Sequence, residues 1–262
     1  MTKEESTKNV YKAPALEKGL EILELLAAKK SPLSMAEIAI ELGRSKNEIF
    51  RMLSVLEQKN YLQKLDGGEK YTVTNHLFDL GMNIPPTSTL IEFIYPIMHE
   101  IAAESLQTCH ISVRSQDHLV IIARVDSPGP IALSTKVGFA IKLIEATSGK
   151  LLLAWLDKKE QKPLIKQQIK LLPTKISIAE LEKQLDKIKA DGVFLNKSTF
   201  MEGITDISVP IFLGSNKKKV IASLNIPYSQ NSHALLSIDE TVTLLKEKSR
   251  YISEKSTIFG GL

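Results

Sequence analysis

The stretch SMAEIAIELGRSKNEIFRMLSVLEQ, residues 34–58, decides how this chain is read. Ser34 with Glu37, and Ser45 with Glu48, each have the S-x-x-E spacing of a capping box, in which serine and glutamate satisfy free backbone amides at a helix start. Behind the first cap, Met35, Ile38, Ala39 and Leu42 stand at i, i+3, i+4 and i+7; behind the second, Ile49, Met52, Leu53 and Leu56 do the same. Only Gly43-Arg44 lies between them, a C-cap glycine and one more residue. Two short amphipathic helices joined by so tight a turn make a helix-turn-helix.

Working outward, Pro14 opens a segment in which Leu16, Leu20, Leu23 and Ala27 recur at helical spacing, predicting a first helix that stops at Lys29-Lys30 before Ser31-Pro32. Downstream, residues 61–65 and 69–73 flank Asp66-Gly67-Gly68 and predict a hairpin that forms a wing. Residues 14–75 therefore read as a winged helix-turn-helix DNA-binding domain and residues 1–13 as a flexible tail. A linker helix is expected within 76–89, ended by Pro85-Pro86, and residues 90–262 form the remainder, an effector-binding and oligomerisation domain. There, strands are expected at 109–114, 119–125, 131–136, 204–212 and 219–226, and helices at 90–106, 148–156, 177–190 and 237–251. This irregular order predicts an α+β fold with an antiparallel sheet.

On the second helix of the pair, the face opposite Ile49, Met52, Leu53 and Leu56 carries Asn47, Arg51, Ser54 and Gln58, with Phe50 at its flank. These residue types read base edges, Arg for guanine, Asn and Gln for adenine, Ser for either. Arg44, Ser45 and Lys46 stand at the helix entrance, where phosphates approach. Any exposed helix face is polar, so the same pattern also fits a winged helix that binds protein rather than operator DNA. A steep loss of affinity with salt separates the two readings.

The chain of 262 residues suits one large or two ordinary domains at roughly 100 to 200 residues each. Its net charge is only +4, and residues 1–75 hold 12 basic against 11 acidic residues. DNA affinity must then come from placement, with Arg44, Lys46, Arg51, Lys64 and Lys70 on one side and most acids on the first helix. A single such domain binds weakly, so a dimer reading two half-sites is expected, with the first helix and residues 76–82 contributing the contact. One cysteine, Cys109, allows no intramolecular disulfide. With no apolar run of signal-peptide or membrane-span length, a cytoplasmic protein without membrane contact is expected. Catalysis, cofactor and metal are not expected: Cys109 and His110 are strand neighbours facing opposite ways, and His76, His99, His118 and His233 form no ligand spacing.

The segment ALEKGLEILELL (residues 15–26), the run RSKNEIFRM (44–52) and the wing resemble the DNA-binding domain of IclR-type bacterial transcriptional regulators. The resemblance continues through Val137-Gly138, ATSGKLLLA (146–154), Gly192, Gly203 and Val209-Pro210-Ile211, and so covers nearly the whole chain. It implies a winged helix-turn-helix, a linker helix and a GAF-like effector domain, assembled as a homodimer or a dimer of dimers. It further implies that a small molecule, commonly a carboxylate, aromatic acid or sugar acid, changes binding to a double-stranded operator.

Strand alternation places Asp206 and Ser208 opposite Ile207, Val209 and Ile211, and Ser223 and Asn225 with Ile221 opposite Val220, Ala222, Leu224 and Ile226. Paired as a hairpin, the four polar residues share a face, which is either a ligand cavity or the solvent side of the sheet. The resemblance favours the cavity, because positions 206, 223 and 225 match its effector-lining places. Ser148 and Gly149, at a helix start, could receive an effector carboxylate, with Leu133 and Leu143 as apolar wall. Two departures stand out: Asp206 replaces a common cysteine, and Ser198-Thr199 replace common paired acids. A carboxylate at 206 repels an anionic effector unless it accepts hydroxyl donors, which points to a polyhydroxylated ligand such as a sugar acid.

Overall fold

The computed structural model describes residues 13–29, 31–82, 87–133, 135–170, 177–216, 218–231 and 233–256. Most of the expected tail, Lys30, and the Pro85-Pro86 end of the linker lie outside these. The chain divides into two compact units, one up to residue 84 and one from residue 85 onward.

The first unit contains α1 (Pro14–Lys29), β1 (Leu33–Ser34), α2 (Met35–Glu41), α3 (Lys46–Gln58), β2 (Leu62–Leu65), β3 (Lys70–Val73) and α4 (His76–Met82). Both capping boxes form. The Ser34 amide donates to Glu37 Oε2 at 2.7 Å and the Ser45 amide to Glu48 Oε2 at 3.1 Å, while each serine Oγ accepts from its glutamate's amide. Gly43 takes the left-handed conformation (φ 59°) that ends α2, and Asn60 (φ 61°) does the same after α3. The two wing strands pair from Leu62↔Val73 to Leu65↔Lys70, and β1 adds a third strand in the order β1-β3-β2. Ile22, Leu26, Ile38, Ile49, Leu53 and Leu62 form the core.

The stripe expected on α1 is displaced. The helix buries Gly19, Ile22, Leu23 and Leu26, whereas Leu16 and Leu20 are 64% and 49% exposed. Positions 16, 20, 23 and 27 are indeed spaced as one face, but 19, 22, 23 and 26 form an adjacent one. The rest of the unit packs against that second face.

The second unit contains α5 (Thr87–Ser105), β4 (Cys109–Ser115), β5 (His118–Val125), β6 (Ala140–Lys142), α6 (Thr147–Ala154), α7 (Lys158–Ile169), α8 (Ile178–Asp191), β7 (Phe194–Lys197), β8 (Ile204–Phe212), β9 (Val220–Ser229) and α9 (Ile238–Lys255). Its six strands form an antiparallel sheet in the order β6-β5-β4-β9-β8-β7. One face, with Ile111, Ala123, Val209, Leu224 and Ile226, packs with α5 and α9. The other carries α6, which packs in turn on α8, around Leu143, Leu151, Leu153, Leu185 and Phe194. Fully burying one such aliphatic side chain contributes about 1.5–3 kcal/mol.

Residues 131–133 and 135–136 contain no strand, against expectation. Pro128 and Pro130 precede this stretch, and the sheet is completed by β6 instead. The strict alternation expected in residues 219–226 also breaks. A bulge shifts register between Ile211↔Ala222 and Phe212↔Val220, so Ile221 joins the core on the α5/α9 face and Val220 packs on the opposite side.

Gly149 is fixed by packing. A Cβ at this position would lie 2.2 Å from the Leu143 carbonyl oxygen, so α6 can rest on that turn only without a side chain. Gly149→Ala is expected to cost about 1–3 kcal/mol, measured by urea unfolding; Gly192→Ala, where only the φ of +66° is strained, should cost about 1–2 kcal/mol. A neutral Gly149→Ala would show that the close approach is not needed.

Candidate functional site

Most of the residues singled out from the sequence lie on two separate surfaces, one in each unit. In the first, α3 holds its apolar side fixed through Ile49 and Leu53, both fully buried, and leaves Asn47, Phe50 and Arg51 exposed. Phe50 is 56% exposed, which is unusual for an aromatic side chain with no partner element. Ser54 is half-buried, and its Oγ donates to the Phe50 carbonyl at 3.0 Å.

The charges around this face are already engaged. Arg44 Nη2 lies 3.2 Å from Glu21 of α1, and Lys64 Nζ lies 2.8 Å from Glu57 and 5.5 Å from the Tyr71 ring centre. The separation of acids from bases read from the sequence is thus incomplete. These pairs are substantially exposed, and such pairs contribute only about 0–1 kcal/mol, so the cations can exchange their partners at low cost. Lys46 is exposed, and Lys70 is half-buried on β3.

Ser45 and Glu48 have a structural task. Lys18 of α1 contacts Glu48 Oε1 at 2.6 Å, and this contact with the Ser45 hydrogen bonds holds the Glu48 carboxyl down at about 2. The amino end of α3 therefore already faces a carboxylate, and its dipole is not left free for a phosphate. Lys18, missed in the sequence, anchors α3 from thirty residues away.

The second surface is a cavity of about 100 Å³ on the α6 side of the large sheet. Strands β4, β5, β6, β8 and β9 line it, and the first turn of α6 closes one side. The loops 126–139 and 198–203 meet over it through Phe139 and Phe200, in edge-to-face contact at 6.0 Å. Of the residues expected to line a ligand site, Leu133, Ser148, Asp206, Ser208 and Asn225 do so. Leu143 is fully buried core, Gly149 lies against the Leu143 backbone, and Ser223 sits beneath Asn225, so none of these three lines the cavity.

Asp206 accepts from Thr147 Oγ1 at 3.2 Å, and burial pushes its carboxyl above the usual range despite hydrogen bonds from Thr147 and Ser198. Ser208 and Asn225 are register partners on β8 and β9 and are nearly inaccessible. The Asn225 amide group donates towards the His110 carbonyl (3.2 Å), the Ser223 carbonyl (3.0 Å), Ser112 Oγ (3.2 Å) and Ser223 Oγ (3.2 Å). Its Oδ1 is buried without a hydrogen-bond partner, as is Nδ1 of His110, which also lines the cavity. Burial pushes the His110 imidazole down to about 4, so the ring is neutral at physiological pH.

His110, Thr147, Phe139 and Phe200 were not read as cavity residues from the sequence. His110 reaches the site only through the β4–β9 register, His110↔Asn225, between strands 115 residues apart in the chain. No group of three or more potential metal-binding side chains occurs among the described residues, and no described helix is long and apolar enough to cross a membrane.

Residues 15–66 match the IclR helix-turn-helix domain, and residues 87–254 match the bacterial transcriptional regulator IclR C-terminal domain. The chain is 28% identical over 238 residues to the HTH-type transcriptional regulator KdgR of Dickeya chrysanthemi, covering 89% of this chain and 77% of that protein. It is 26% identical over 235 residues to KdgR of Escherichia coli, covering 88% of each. The crystal structure of an IclR homolog from Microbacterium hydrocarbonoxydans, complexed with 4-hydroxybenzoate, superimposes with a TM-score of 0.78 at 17% identity, over 93% of this chain and 99% of that one. Matched in both units, this chain belongs to the IclR family, DNA-binding transcriptional regulators rather than enzymes, with an N-terminal helix-turn-helix and a C-terminal effector domain.

Proposed function

We propose that the protein binds a palindromic operator as a homodimer, alone or paired into a dimer of dimers, and that a small hydroxylated organic acid in the α6 cavity changes its operator affinity. The observation that carries the reading is the exposed ridge Asn47, Phe50 and Arg51 on a helix whose opposite side is locked by Ile49 and Leu53. Asn47, Arg51 and Ser54 would face base edges, while Arg44, Lys46, Lys64 and Lys70 would meet phosphates by releasing their carboxylate partners where they have them. Ser45 sets the helix start.

The effector half of the proposal rests on Asp206, Ser208 and Asn225 lying together in the cavity, with Ser148 at the start of α6. Exposed apolar side chains on α1 (Leu16, Leu20) and α4 (Leu77, Phe78, Leu80) supply surface for a second copy. Two half-sites require one. The reading is supported by the IclR homolog of the same fold that is complexed with 4-hydroxybenzoate, a hydroxylated carboxylate.

Binding of the purified protein to DNA spanning its own gene and neighbours, with and without sugar acids and aromatic acids, tests the whole reading. Saturable, salt-sensitive binding altered by one compound is expected, and Arg51→Ala should remove the preference for operator over random DNA, about 1–3 kcal/mol. Equal binding of all sequences with a shallow salt response would refute operator recognition. Light scattering should give at least a dimer at micromolar concentration, and Phe78→Ser should shift it towards monomer; a monomeric wild type would end the two-half-site mechanism.

Asp206 gives a pH test. Because burial raises its carboxyl, its charge is lost at a higher pH than that of an ordinary aspartate, and its repulsion of an anionic effector should weaken as pH falls. His110, the other titratable group lining the cavity, is pushed down to about 4 by burial and is neutral at physiological pH. Asp206→Asn should flatten the profile, and Asp206→Ala should change the effector response; an unaltered response in both would remove Asp206 from the site.

A further inference from the structure

The Asn225 side chain can be oriented in only one way. Its Nδ2 faces two backbone carbonyl oxygens, those of His110 and Ser223, which can only accept. Turning the amide over would set Oδ1 against both of them, oxygen to oxygen. Oδ1 is therefore held away from the β4–β9 seam, buried and without a partner, in a residue only 3% exposed that lines the cavity. On the paired strand, its register partner His110 lines the same cavity with Nδ1 buried and unpartnered.

We infer that His110 is a specificity-determining residue of the effector cavity and, together with Asn225, reads a hydroxyl group of the bound molecule. The inference rests on the reading of this cavity as the effector site. Asn225 Oδ1 accepts and cannot donate, so an ionised carboxylate, which offers only acceptors, cannot satisfy it. A hydroxyl can donate to Asn225 Oδ1 and at the same time accept from, or present a second hydroxyl to, the neutral imidazole nitrogen. Asp206, the third acceptor in the cavity, adds to the demand for donors there. The carboxylate end of a hydroxy acid must then lie elsewhere. A site built to bond a hydroxyl discriminates strongly against the analogue lacking it, because the buried polar groups are left unpaired.

The test uses the full-length protein and two matched pairs of probes, gluconate against hexanoate and 4-hydroxybenzoate against benzoate. Calorimetry should give the hydroxylated member of at least one pair about tenfold or greater preference, and His110→Phe should reduce that preference to near unity. In protein carrying ¹⁵N-labelled histidine, the His110 Nδ1 resonance, assigned by its absence in His110→Phe, should move with the hydroxylated probe and not with its partner. The spectroscopic arm needs only wild type to bind, and His110→Gln, which restores a polar side chain, should recover part of the preference if His110→Phe folds poorly.

The same preference in wild type and His110→Phe, a stationary His110 signal on binding, or tighter binding of the unhydroxylated partners would overturn the inference. So would failure of every hydroxylated probe to bind, or selection of an amine without hydroxyl groups, such as hexylamine, in their place. In each of these cases, continued release of operator DNA by some other compound leaves the effector reading intact, whereas operator binding that no compound alters removes both.

Discussion

The approach of α6 to the Leu143 carbonyl is the constraint on which the effector half depends. Only a residue without a side chain at 149 allows it, and it brings the first turn of the helix down over the large sheet. Thr147 then reaches Asp206, Ser148 enters the cavity wall, and Leu151 and Leu153 complete the core beneath α8. Ser148 and Gly149 are adjacent, but the first serves the cavity and the second makes the packing possible. Their shared position at a helix start had suggested the same role for both.

The DNA-binding unit is organised by short-range rules. Two capping boxes, one left-handed glycine and one left-handed asparagine fix the ends of α2 and α3 within a few residues of the chain. Because the caps are local, they are visible in the sequence, and residues 34–58 fold as read. What the sequence did not show is how the charges pair. Glu21 meets Arg44 and Lys18 meets Glu48 because α1 packs across α3, a contact over more than twenty residues of chain.

The same distinction explains the larger unit. The strand 204–212 was legible from its alternation and the helix from Ser237 from its position, although the capping box that starts it, Ser237 with Glu240, was not read. The helix 158–169 was not read, because KKEQKPLIKQQI has few apolar positions and contains Pro163, although Ile165, Gln161 and Gln168 are buried. Buried glutamine carries no hydrophobic signal: Gln161 Nε2 donates to the Leu153 carbonyl, and Gln168 accepts from the Ile144 amide at 3.1 Å. Bulges escaped for a similar reason. An extra residue such as Ile221 is as apolar as its neighbours, so the break in alternation leaves the composition unchanged.

Recognition is prepared differently in the two units. Around α3 the cations rest in exposed pairs worth about 0–1 kcal/mol, so a phosphate can displace a carboxylate with little loss. In the cavity, Asn225 Oδ1 and His110 Nδ1 have no water-facing alternative and no protein partner. A buried polar atom left unpaired costs about 1–3 kcal/mol, and that cost is withdrawn when a molecule supplies the missing partner. On the proposed reading, the exposed pairs would make the DNA-facing surface exchangeable and salt-sensitive, whereas the unpartnered polar atoms would make the cavity selective. Selectivity there follows from what the β4–β9 pairing leaves unsatisfied, more than from the shape of the apolar walls.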